Sequence, residues 1–113
     1  MASNYMEAPL LIRAGSTISS SHSLGGETII GFRFPIGFEG SQITMKASVV
    51  TNNEFFSVND PTTGAALTVK AGSGGAIVPI SSFDLACVQN IQIISDTAVA
   101  VDRTVYVIAR RMM

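Results

Sequence analysis

Apolar and polar side chains alternate along most of this chain, the mark of β-strands with one face on a core and the other toward solvent. The cleanest case is Ile43-Thr44-Met45-Lys46-Ala47-Ser48-Val49. Successive strand side chains point to opposite faces, so Ile43, Met45, Ala47 and Val49 line one wall and Thr44, Lys46 and Ser48 the other. Ile30, Phe32 and Phe34 alternate with Gly31 and Arg33, and Pro35 is expected to close that strand. Leu67, Val69 and Ala71 alternate with Ala66, Thr68 and Lys70, and Ile91, Ile93 and Ser95 with Gln92 and Ile94. Thr104 to Arg110 is apolar on both faces, which predicts a central strand or one whose outer face meets another subunit. Weaker alternation marks residues 10–13, 17–24, 54–58 and 76–80.

Turn formers punctuate these segments: Gly25-Gly26, residues 37–41, Thr51-Asn52-Asn53, Asp60-Pro61 with Gly64, Gly72 to Gly75, and Ser95-Asp96. Short strands at this spacing predict an all-β fold, an antiparallel two-sheet sandwich of jelly-roll-like topology. One helical turn is expected, with Ser81 or Ser82 capping Phe83-Asp84-Leu85-Ala86. Residues 1–8 lack strand alternation and read as a flexible N-terminal arm ahead of a single sandwich domain over 9–113. The arm is either a frayed end or a clamp that orders on binding. If it clamps a neighbour, deleting residues 1–7 should leave the melting temperature nearly unchanged.

Composition adds a reason for contact. Hydrophobic residues make up 47% of the chain and charged ones 13%, against about a quarter charged in an ordinary soluble domain. A domain of 113 residues cannot hide that surplus in one small core, so an interface with other chains is expected. Seven basic residues face eight acidic ones and are scattered, which argues against nucleic acid as a partner. No stretch is long or apolar enough to cross a membrane. The only cysteine, Cys87, sits in Leu85-Ala86-Cys87-Val88 and is expected to be a buried, inert thiol. The first residues lack the basic start and apolar run of a signal peptide, which fits synthesis in a reducing cytoplasm.

Candidate chemistry is sparse. His22 lies within Ser19-Ser20-Ser21-His22-Ser23, but no Gly-x-Ser-x-Gly accompanies it. Gly72-Ser73-Gly74-Gly75 is followed by a strand-like segment, whereas a phosphate loop needs a Lys and a helix behind it. Asn52, Asn53, Glu54, Asn59 and Asp60 supply two carboxylates, few for calcium, and serve equally as turn residues. No catalytic, cofactor-binding or metal-binding residue is therefore assigned, no cofactor is expected, and the chain is read as not an enzyme. The candidate partner-binding residues are Tyr5 and Met6 in the arm, Phe55 and Phe56, and Arg110 and Arg111. Adjacent strand residues face opposite ways, so one of the two phenylalanine rings should point outward.

The order of pieces resembles a known group. Ile29-Ile30-Gly31-Phe32-Arg33-Phe34-Pro35, Phe38-Glu39-Gly40 and Ile43 to Ser48 are followed by Phe55 to Asp60 and Leu67 to Gly72. Ile91 to Ser95 and Asp102-Arg103-Thr104-Val105-Tyr106-Val107-Ile108-Ala109-Arg110 close the series. Over about residues 28–111 this is similar to small structural proteins of tailed bacteriophages and prophages, by strand order rather than by a chemical motif. The resemblance implies a capsid cement or decoration protein, a homotrimer with an extended N-terminal arm, made in the host cytoplasm and bound to the major capsid protein on the virion surface. Its alternatives are a tail or neck accessory protein and a carbohydrate-binding module.

Overall fold

Nine strands, all paired antiparallel, form among the described residues. The computed structural model describes residues 5–49, 54–71, 74–80 and 88–111. In chain order the strands are β1 (Tyr5–Ile12), β2 (His22–Ser23), β3 (Glu27–Ile36), β4 (Gln42–Ser48), β5 (Phe56–Ser57), β6 (Val69–Lys70), β7 (Gly74–Pro79), β8 (Asn90–Ser95) and β9 (Arg103–Arg111). The expected helical turn at 81–86, Cys87, the first four residues of the arm and Asn52-Asn53 lie outside the described residues.

The pairings are nested. β1 pairs β9, β2 pairs β8, β3 pairs β7, and β4 pairs β5 and β6. This is one long hairpin of strand pairs, rolled up by two further pairings, β3 with β9 and β4 with β8. Two sheets result, ordered β1-β9-β3-β7 (sheet A) and β2-β8-β4-β5 with β6 also on β4 (sheet B). β5 and β6 are one strand interrupted by a surface turn. The Val58 amide donates to the Met45 carbonyl and the Ala71 amide to Ser41, while Leu67 returns to Val58 across the bridge between Asn59 and Ala66. Counted so, the chain is the two-sheet jelly roll that the alternation predicted.

Between the sheets lies the core, built by the inward sets of each strand. Leu10, Ile12, Ile29, Phe32, Phe34, Ile43, Met45, Ile91, Ile93, Val105 and Val107 are buried. Phe34 joins Phe32 and Phe38 at ring separations of 6.4 and 5.3 Å, in the tilted arrangement that aromatic pairs favour.

Three expectations need correction. First, residues 5–8 are not arm: Tyr5 to Ala8 pair in register with Arg110 to Val107. An outer strand needs only a free ladder beside it, here on β9, and its backbone bonds do not depend on apolar alternation. Second, Pro35 does not close its strand. The Ile30 carbonyl accepts from the amide of Ile80, just past β7, so by alternation Phe34 and Ile36 address β7 and Pro35 addresses the β9 side. Pairing with β9 stops at Arg33, and the missing N–H costs no ladder bond. Third, Ile29 rather than Ile30 shares the core face with Phe32, because the register with β9 shifts between Ile29 and Gly31.

Candidate interaction surface

Each sheet has an outer face, and the two differ. In sheet B it carries Gln42, Thr44, Lys46, Asn90, Gln92 and Ile94, with the exposed Ile18 bridged to Ile94, and is mainly polar. In sheet A the outward positions are Tyr5, Glu7, Pro9 and Leu11 of β1, Thr104, Tyr106, Ile108 and Arg110 of β9, Gly31, Arg33 and Pro35 of β3, and Ile77 and Pro79 of β7, an apolar middle with charges at Glu7, Arg33 and Arg110. Ile77 stands 68% exposed. An antiparallel sheet that faces water normally shows polar side chains there, and the apolar middle of this face departs from that pattern.

An ion pair crosses that face. The Arg33 guanidinium lies 4.2 Å from the centroid of the Tyr106 ring and reaches over β9 to Glu7 on β1, with Nε to Oε2 at 2.7 Å and Nη2 to Oε1 at 3.1 Å. This two-bonded geometry holds the Glu7 carboxyl below its ordinary pKa and raises that of Arg33. The pair spans three adjacent strands and satisfies its own charge. A flat partner can therefore cover it without leaving an unpaired ion, and Arg and Tyr are residues on which interfaces concentrate their energy.

Of the residues singled out in the sequence, the fold gathers four. Tyr5 and Met6 open β1 beside Arg110 and Ala109 of β9, and Arg111 pairs with Glu27 of β3. The Arg110 guanidinium lies 5.8 Å from the Tyr5 ring centroid. Phe56 is 65% exposed and Phe55 half-buried, at the start of β5 on the outer edge of the other sheet, apart from the first four. Arg33, Tyr106, Ile108 and Ile77 carry the larger surface and were not singled out. The signal was present in the two-faced apolarity of residues 104–110, read there as a central strand or a subunit contact.

The opposite end of the sandwich is occupied with holding itself together. Glu39 accepts from Arg103 at 3.0 and 3.2 Å and from the Ala100 amide at 2.9 Å. Those bonds, the Arg103 contact foremost, bring its pKa down to about 2. Asp96 accepts from the Ser41 hydroxyl and amide, which lowers its pKa as well, and Asp102 accepts from the Ala14 amide at 2.8 Å. Asp60 Oδ1 closes its own turn on the Thr62 amide at 2.7 Å. In the serine-rich segment Ser19 Oγ accepts from the Ile93 amide and Ser20 Oγ from the Leu11 amide, both strand backbone. Among the described residues no three His, Cys, Asp or Glu side chains come together as a metal site, and no helix is long and apolar enough to cross a membrane. No protein-family model matches the chain, and no curated protein matches it in sequence.

Proposed function

We propose that this chain is a structural virion protein, a cement or decoration protein that lays the outer face of sheet A on the major capsid protein lattice. One observation carries the reading: Pro9, Leu11, Ile108, Ile77 and Pro79 gather on one outer face around an Arg33 whose charge Glu7 neutralises, on a domain whose other outer face is mainly polar. The likeness to phage structural proteins supplies the setting, the capsid surface of a particle assembled in the host cytoplasm. Repetition over a lattice turns modest contacts into avidity. A non-enzymatic role is supported by the use made of the carboxylates, since Glu7, Glu39, Asp60, Asp96 and Asp102 each hold an arginine or a loop amide. A sugar-binding role has less support: the Tyr106 ring, which a sugar would stack on, is already covered by Arg33.

The test is binding to purified capsids lacking the protein, with electron microscopy to locate it. Ile108→Lys puts a charge at the middle of the face, opposite Glu7 and Gly31. It should weaken capsid binding at least tenfold, about 1.4 kcal/mol, with the circular dichroism spectrum unchanged. Equal binding by the variant, or particles that never take up the wild-type chain, would reject the assignment. Specific retention on a glycan array would favour the sugar-binding reading instead.

A further inference from the structure

We infer that the protein surface covered by the outer face of sheet A is uncharged opposite the Arg33–Glu7 pair and presents a carboxylate to Arg110. The inference rests on the docking role proposed above and adds the chemistry of the partner.

The strand register arranges this face in rows. Tyr5 and Arg110 stand opposite each other in the end row, Glu7 and Ile108 in the next, and Tyr106 and Arg33 in the third. Glu7 therefore lies between two arginines, one row from each. It gives both carboxylate oxygens to Arg33, at 2.7 and 3.1 Å. Among the described residues no carboxylate comes within ion-pair distance of Arg110. Its guanidinium lies 5.8 Å from the Tyr5 ring centroid instead. Such a cation–π contact uses the charge of the guanidinium but none of its five N–H donors.

The two arginines ask different things of whatever covers them. Arg33 is already neutralised, and breaking a covered ion pair on one side is costly. The surface above it must leave Glu7 in place and bring no charge of its own. Arg110 is the next outward residue after Ile108 on β9, about 7 Å further along the strand, so a partner that covers Ile108 reaches it. Covering it strips water from a charge that has no counter-ion, which is unfavourable unless the partner supplies one. A carboxylate matches the planar guanidinium with two parallel hydrogen bonds. The unneutralised charge stands at one end of the face only, so it also fixes which way round the sheet lies on its partner.

The test measures binding to capsids lacking the protein, for the wild type, Arg110→Gln and Arg110→Glu, across sodium chloride concentrations. Arg110→Gln should bind about tenfold more weakly than the wild type, and Arg110→Glu more weakly still. Added salt should weaken wild-type binding, strengthen that of Arg110→Glu and change that of Arg110→Gln least, because it screens one attraction or one repulsion. Glu7→Gln should also weaken binding, since Arg33 is then covered unpaired, and adding Arg33→Gln should recover part of the loss. If the pair served only to hold β1, the double variant would recover nothing. Wild-type affinity retained by Arg110→Gln, glutamine and glutamate variants that bind alike, or a double variant no tighter than Glu7→Gln would each overturn the inference and leave the docking role standing. A wild type that never binds capsids rejects the docking role and the inference with it.

Discussion

Glu39 shows how a single side chain sets the behaviour of a whole end of the sandwich. Its carboxylate ties the loop after β3 to Arg103 and the Ala100 amide, and both side chains are half-buried. Binding the ionised form lowers the folded pKa to about 2 from an ordinary 4.5. A depressed carboxylate stabilises the fold above its unfolded pKa and loses that contribution as pH falls through the folded one. The stability of this protein should therefore decline between pH 4.5 and about 2. Glu39→Gln should melt lower at neutral pH and show a shallower acid decline. Some slope should persist, because Glu7 and Asp96 are lowered in the same direction. Thermal melts across that range decide it, and parallel acid declines in the two proteins would remove Glu39 from the account. Nothing in the sequence pairs Glu39 with Arg103, which are 64 positions apart. Only the topology brings their loops together.

Elements were legible where alternation was strict. Ile43 to Ser48 reappears as β4, although Val49, expected on the same core wall, lies past the strand and is 62% exposed; the inward set Ile91, Ile93 and Ser95 is buried in β8. Legibility failed where something other than burial decides strand formation. β1 begins with three exposed residues, Tyr5, Met6 and Glu7, too short a run to mark a strand, and its existence there rests on the unpaired side of β9. Pro35 was read as a stop because the side its nitrogen faces cannot be known before the strand order is. The status of β1 changes the outcome of a simple truncation. Removing residues 1–7 takes away the pairs from Tyr5 to Glu7 and leaves Arg33 without its carboxylate. The melting temperature should fall by about 4 °C or more, as a loss of about 1 kcal/mol or more would require. Scanning calorimetry checks this, and an unchanged midpoint would return Tyr5 to Glu7 to the status of a free arm.

At the scale of the molecule, the fold class was legible, from alternation and turn spacing, but the composition argument could not say where the surplus apolar surface lies. That needed the strand order, which turns β9 into a central strand and gives sheet A an outer face with an apolar middle. The nested pairing has a kinetic consequence too. β4 closes on β5 across a short loop, whereas β1 and β9 join the two ends of the chain. Loop-closure entropy rises with separation, so the inner pairs should form first and β1 should dock late. Leu10 in β1 and Met45 in β4 are both buried in the same core, and truncating either to alanine should cost about 2–5 kcal/mol. The cost should divide differently: Met45→Ala should mainly slow folding, and Leu10→Ala should mainly speed unfolding. Stopped-flow chevrons of the two variants separate these effects. If Leu10→Ala slows folding as much as Met45→Ala does, the joining of the chain ends belongs to the folding nucleus, and the sandwich is not rolled up from its inner hairpin outward.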